Sequence, residues 1–334
     1  MDPCMVSLSH ERIPFIIAEI AQGYEGSAKL IELFVKAAAS VGADAVKFQV
    51  LFADESALPD YQHYALFKRL EFPAEVWERA VAQAHALGMQ FYMDALGVRS
   101  MAMLEPFGVD GYKIHTGSIT NPHILRAVAR MRKPVLLSTG GNTLEEIDRA
   151  LAMLAGCPVT LMVGFQAEPT AVEDNHIARM RTLAERYRLP IGFQDHTAGG
   201  DPVAPFLPFL ALGAGATLVE KHLTLSRLAE MEDYISAFTA EEFAGWAKQL
   251  REAAKALGQS AWELTEKELQ YKQKARKALC VTRRIESGEE IREEDITFKR
   301  THQPEALFDL HEVVGRRAAR PIGENAVVTR EAVV

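Results

Sequence analysis

The stretch "PIGFQDHTAGG", residues 190–200, decides how the rest of the chain is read. It starts as an apolar run behind a proline and ends abruptly in Gln194, Asp195 and His196, before a turn of small residues. A strand covered on both faces is apolar along most of its length, so polar groups gathered at its carboxyl end need a destination. The same design recurs in "FIIAEI" (15–20), "AVKFQV" (45–50), "QFYMDAL" (90–96), "GYKIHT" (111–116), "PVLLST" (134–139), "VTLMVG" (159–164) and "TLVEKHL" (217–223). Between these runs, segments such as "SAKLIELFVKAAASVG" and "TLEEIDRALAMLAG" carry apolar residues at helical spacing and often stop at glycine. Eight strand–helix units within about 210 residues predict an α/β fold, a closed (β/α)₈ TIM barrel rather than an open sheet. No glycine-rich phosphate fingerprint follows the first run, which counts against a doubly wound sheet.

The pattern changes after residue 224. "TAEEFAGWAKQLREAAKALG" (239–258) reads as one amphipathic helix, capped by Thr239 with Glu242 three residues on. We therefore assign 1–258 to the barrel, the charged stretch 259–278 to a linker, and 279–334 to a small β-rich domain of short strands and turns. A domain of about 55 residues is marginal alone and gains from packing against something larger.

Composition narrows the function classes. The chain has 334 residues and a net charge of −8, which argues against a nucleic-acid partner. An acidic protein that binds an anion must concentrate its lysines locally, so each inward lysine matters. Cys4, Cys157 and Cys280 have no paired spacing and suggest neither a disulfide framework nor a zinc cluster. "MDPCMVSLSHERIP" has no basic start ahead of an apolar stretch, and no run approaches the roughly 18 apolar residues of a membrane span. The expectation is a cytoplasmic protein without a membrane partner.

In such a barrel the chemistry sits at the carboxyl ends of the strands. The polar residues collected there are Glu19, Lys47, Gln49, Asp94, Lys113, Thr116, Ser138, Gln194, Asp195, His196, Glu220 and His222. Side chains alternate along a strand, so Lys47 shares a side with Gln49, and Glu220 with His222. Two lysines near one axis repel unless an anion lies between them; Lys47 and Lys113, with the hydroxyls of Thr116 and Ser138, would suit a phosphate or carboxylate. The alternative is that each lysine snorkels to the rim or pairs with Glu19 or Asp94. His196 and His222 end adjacent strands and could hold Mn²⁺, Zn²⁺ or Fe²⁺ with open positions, Glu19 reaching it directly or through water. The alternative for either ring is a hydrogen-bonded core histidine. Asp195 is expected to cap a following helix, or to orient a neighbour and fix the turn that presents His196.

Taken together, these residues resemble the N-acetylneuraminate (sialic acid) synthase family, in the divergent form of the spore-coat polysaccharide synthases. "IIAEIAQGYEGS", "GADAVKFQ", "GYKIHTGSITNPHIL", "KPVLLSTGGNTLEEI", "PIGFQDHTAG", "LVEKHLT" and "EDYISAFTAEEF" are similar to the family's motifs in their order. Residues 279–334 resemble its C-terminal antifreeze-like (SAF) domain. The resemblance implies condensation of phosphoenolpyruvate with an N-acylated sugar aldehyde, giving a nine-carbon 2-keto acid and phosphate. It implies a divalent metal on His196 and His222, typically Mn²⁺, with Mg²⁺ or Co²⁺ as alternatives. Glu19 and His222 match catalytic positions, and Glu19 would handle a proton. Lys47, Lys113, Thr116, Ser138, Gln166 and Gln194 match positions that hold phosphoenolpyruvate. Gln49 and Asp233 match positions facing the amino-sugar, and Arg300 the tail arginine that reaches a partner's site in a domain-swapped homodimer.

The chain also departs from the pattern. Ser118 stands where the family has glutamate, Gln166 and Glu168 replace asparagine and tyrosine, Gln194 replaces serine, and Thr301 replaces proline. The phosphoenolpyruvate and metal positions are kept, whereas the sugar specificity does not transfer. Two other functions compete: a degenerate sugar- or phosphate-binding member without turnover, and a Schiff-base aldolase using Lys113.

Overall fold

The structure is a computed structural model that describes residues 13–167 and 169–334. Cys4 and Glu168 therefore lie outside the described residues. Eight parallel strands form one closed sheet: β1 (Phe15–Ala21), β2 (Ala45–Val50), β3 (Gln90–Ala95), β4 (Gly111–Ile114), β5 (Val135–Ser138), β6 (Val159–Val163), β7 (Ile191–Asp195) and β8 (Ala216–Thr224). Each strand pairs with the next, and β1 also pairs with β8, Phe15 beside Leu218 through Glu19 beside His222. That last pairing closes the barrel, as the alternation of apolar runs and helices predicts.

The outer faces of the strands and the inner faces of the helices share one large core that includes Phe34, Phe48, Trp77, Phe91 and Phe243. Helix Ala240–Ala254 begins as its sequence predicts, with a reciprocal Thr239–Glu242 capping box. Inside the barrel a separate apolar cluster, Ile17, Ala45, Tyr92, Leu136, Met162 and Leu218, forms a floor. Two glycines make that floor possible. A Cβ on Gly111 would come within 2.1 Å of Tyr92 Cε1, and one on Gly192 would collide with Met162 Sδ. With hydrogen at both positions, the two large side chains fill the axis.

The chain divides after Gly258 into two compact units, the second being Gln259–Val334. The stretch expected as a linker carries a helix, Glu266–Ala275, capped by Thr265 and Glu268 in a second reciprocal box. Strands Ala278–Val281 and Ile296–Lys299 pair antiparallel, and the rest of the tail is held by single bridges and turns. Its own core gathers Leu279, Val281, Ile285, Ile291, Val313 and Val328. Among the described residues Cys157 and Cys280 are free thiols. No helix among those residues is long and apolar enough to cross a membrane.

Candidate active site

Two residues toward the carboxyl end from five of the six floor positions, all but Met162, the chemistry changes completely. Ile17 gives way to Glu19, Ala45 to Lys47, Tyr92 to Asp94, Leu136 to Ser138 and Leu218 to Glu220; Gly111 leads to Lys113 and Gly192 to Gln194. Period-two alternation places all of them on the lumen side. A further step reaches Gln49, His115, His196 and His222 at the mouth.

The charged layer is buried and internally paired. Lys47 is 2% exposed; its Nζ pairs with Glu19, reaches Asp94 at 2.6 Å and lies 3.8 Å from Glu220. Lys113 pairs with Glu220 from across the barrel. Neither lysine snorkels to the rim, and the carboxylates of the same cleft meet both charges. Burial pushes the Glu19 carboxyl up to about 8; Lys47 opposes the rise, while Asp94 and Glu220 add to it. Burial works on Glu220 in the same sense, yet Lys113 and Lys47 outweigh it and hold that carboxyl at about 2. The layer therefore contains a carboxyl that exchanges its proton near neutrality beside one that stays ionised.

At the mouth the His196 and His222 rings lie 5.1 Å apart, centroid to centroid, inclined at 58°. Burial, reinforced by Lys113, drives His196 down to about 3. Burial and the neighbouring His196 hold His222 well below its ordinary value, so both imidazoles are neutral. His196 Nδ1 and His222 Nε2 are buried with no hydrogen-bond partner among the described residues. Two neutral rings with uncommitted nitrogens fit a cation that takes two protein ligands and leaves positions open. No group of three or more His, Cys, Asp or Glu side chains among the described residues is arranged to hold a metal. A closed structural site is thus not formed there.

The remaining expected residues surround this centre. Ser138 Oγ donates to Gln194 Oε1 at 2.9 Å, and Gln194 Nε2 donates to the Gly164 carbonyl at 2.8 Å, so Ser138 sits behind Gln194. Thr116 lines the cleft while its hydroxyl donates to the Gly140 carbonyl. Gln49 lines it too and accepts from Gln22 Nε2 at 2.7 Å. Gln166 Nε2 donates to Asp233 Oδ1 at 3.3 Å, and Asp233 Oδ2 lies 3.6 Å from His222 Nδ1. Ser118 is buried in the turn after β4. Arg300 belongs to the second unit, exposed just past strand Ile296–Lys299.

Of the two expectations for Asp195, the helix cap is not formed, because no helix begins directly behind it, whereas the turn after His196 is held by it. Its Oδ1 accepts from the Thr197 amide at 2.8 Å, and its Oδ2 pairs with Lys221 at 2.9 Å on the side of the sheet away from the lumen. Lys221 also donates to the Thr197 carbonyl at 2.8 Å and lies over the Phe238 ring. Sequence reasoning missed this pair, and it missed His115. Free space in the cleft is about 20 Å³. Roomier hollows of about 440 Å³ by Gly140–Thr143 and about 500 Å³ between the helices of Ile31 and Ala80 gather no buried titratable cluster. The narrow cleft, with its buried titratable cluster, is therefore the candidate site.

The NeuB family pattern matches residues 34–261 and the SAF domain pattern residues 276–334. The N,N'-diacetyllegionaminic acid synthase of Legionella pneumophila is 29% identical over 91% of this chain and 90% of its own length. The pseudaminic acid synthase of Campylobacter jejuni is 28% identical over 92% and 93%. The solved N-acetylneuraminic acid synthetase of Leptospira borgpetersenii, in complex with citrate, is 27% identical and superposes with a TM-score of 0.72 over 78% of this chain and 91% of its own. With a (β/α)₈ barrel that carries the polar cleft and a C-terminal SAF domain, the chain belongs to the NeuB family.

Proposed function

We propose that the chain is a cytoplasmic synthase that condenses phosphoenolpyruvate with an open-chain N-acylated sugar aldehyde, related to N-acetylmannosamine, to give a sialic-acid-like nonulosonic acid and phosphate. The observation that carries this reading is the pair of neutral, buried imidazoles with free nitrogens directly above a layer of two lysines and three carboxyl groups. The relatives named as legionaminic and pseudaminic acid synthases support it. In the reaction, C3 of phosphoenolpyruvate bonds to the aldehyde carbon and a water oxygen adds at C2. The C2–O bond to phosphate then breaks as the ketone forms.

His196 and His222 would hold a divalent metal, Mn²⁺ before Mg²⁺ or Co²⁺, which supplies Lewis-acid polarisation of the aldehyde. Lys47 and Lys113, with Thr116, Ser138, Gln166 and Gln194, would position phosphoenolpyruvate. Glu19, titrating near 8, can hold or release a proton at working pH. Gln49 and Asp233 would face the sugar. Arg300 would act in the site of a partner subunit in a domain-swapped homodimer.

The Schiff-base alternative is disfavoured, because Lys113 Nζ is held by Glu220 and would have to leave that ion pair to attack a carbonyl carbon. The test is phosphate release from phosphoenolpyruvate with Mn²⁺ and a panel of N-acetylmannosamine and diacetamido-trideoxyhexoses. Metal-dependent release with one sugar, lost in His222→Ala, is expected. Borohydride trapping of a pyruvate adduct would instead establish the aldolase, and phosphoenolpyruvate binding with no release for any sugar would favour a binding protein.

A further inference from the structure

His115 has no part in the reading above, yet it lines the cleft. It follows β4 immediately, two residues past Lys113 and therefore on the same inward side. The ring is half-buried, and its Nδ1 accepts a hydrogen bond from the Gly117 amide at 3.2 Å, capping the turn Thr116–Ser118. A ring nitrogen that accepts carries no proton, so the hydrogen of the neutral ring sits on Nε2. Burial holds the ring below its ordinary pKa, although Asp94 pulls the other way. Its other partner is the Gln166 side chain. Because the Gln166 amide nitrogen donates to Asp233, its oxygen is the atom left to accept from His115.

A chain of polar groups thus crosses the mouth, from the loop after β4 through that after β6 to that after β8. Its members are exchangeable: a ligand oxygen entering the mouth can replace the Gln166 oxygen on His115 Nε2–H at little cost in hydrogen bonds. The lysines lie one layer deeper, and the groups at this level are amides, a carboxylate and neutral imidazoles. Such a lining suits hydroxyl and amide oxygens better than a phosphate, which seeks cations.

We propose that His115 is a substrate-contacting residue that reads the acceptor, its Nε2–H donating to a hydroxyl or amide oxygen of the sugar aldehyde as Gln166 is displaced. This inference rests on the reading of the cleft as a sugar-acceptor site. The competing role is purely structural, the cap on the Thr116–Ser118 turn. Two substitutions separate them. Asparagine places an acceptor where Nδ1 is and keeps the cap but cannot reach as far as Nε2. Glutamine places an N–H near Nε2 and gives up the cap.

The experiment is steady-state phosphate release by the full-length, Mn²⁺-loaded protein, with N-acetylmannosamine and a 2,4-diacetamido-2,4,6-trideoxyhexose as acceptor probes. Melting temperatures confirm that each variant is folded. The expected result is that His115→Asn raises the acceptor KM roughly tenfold, as for one lost hydrogen bond, and leaves the phosphoenolpyruvate KM within about twofold. His115→Gln should stay within about threefold of the parent for both substrates. An unimpaired Asn variant, or an equal rise in both KM values, overturns this inference and leaves the synthase reading standing. Parent protein that binds phosphoenolpyruvate but neither binds nor turns over either sugar overturns both.

Discussion

Two buried lysines, Lys47 and Lys221, show how differently this barrel uses the same ion. Lys221 faces away from the lumen and is completely buried; one carboxylate, one carbonyl and one aromatic ring surround it. Lys47 faces the lumen and meets three carboxyl groups. The outer pair joins β7 to β8 directly behind His196 and His222. The inner cluster sets three carboxyl groups against two lysines, and Asp94 Oδ1 finds neither a hydrogen bond nor an ion pair among the described residues. A closed arrangement holds the backbone, whereas an open one keeps valences for something that arrives later.

The largest expected effect tests the open side. His222→Ala should lower phosphate release about a thousandfold, the several kcal/mol typical of a lost metal centre, while the melting temperature stays near the parent's. A loss of activity matched by loss of the fold would make His222 a core residue instead. The closed side should respond in the opposite sense. Lys221→Met strands Asp195 in the interior and should cost about 3–5 kcal/mol in denaturant unfolding, most of it recovered by adding Asp195→Asn. If the single variant is as stable as the parent, the outer pair contributes nothing to holding β7 and β8.

A smaller effect concerns anion binding. The carboxylates of the cleft already neutralise Lys47 and Lys113, so phosphoenolpyruvate should bind the metal-free protein weakly. Mn²⁺ should tighten it by about tenfold or more, as a coupling of some 1–3 kcal/mol between two sites would. Calorimetric titration with and without Mn²⁺ reads this directly, and equal affinities would show that the lysines act without the metal.

The smallest effect lies at the surface, where Arg227 grips Glu242 with two hydrogen bonds of 2.5 and 2.6 Å. The hydrogen bond to Arg227 holds the Glu242 carboxyl at about 2, below its reference value of 4.5. A depressed carboxyl stabilises the fold above its unfolded pKa and loses that contribution as pH falls. The window therefore runs from about 4.5 down to about 2. Both partners are partly exposed, so the contribution should stay below about 1 kcal/mol. Glu242→Gln should flatten the acid limb of a stability–pH curve by no more than that.

Much of the barrel is legible in the sequence because each strand is a short apolar run and each lumen position repeats with period two. The capping box at Thr239 and Glu242 is local, and local signals survive without tertiary context. Partner choice is different. Lys113 and Glu220 are 107 residues apart, and only closure of the barrel brings them together. Asp195 reads as a helix cap or a turn-fixing residue, and nothing nearby in sequence announces Lys221. His115 stands inside the run "GYKIHT" without drawing notice, although its two-residue offset from Lys113 is the signal that could have found it. The helix at Glu266–Ala275 is masked by its charge, yet Thr265 and Glu268 have the spacing of a capping box.

The floor made possible by Gly111 and Gly192 has a kinetic consequence. With Tyr92 and Met162 filling the axis, the barrel is a blind well, and molecules enter and leave by the same opening. Whatever rests against the lysines must arrive before anything that covers it. Binding to such a well is sequential by construction, with the deepest guest first in and last out.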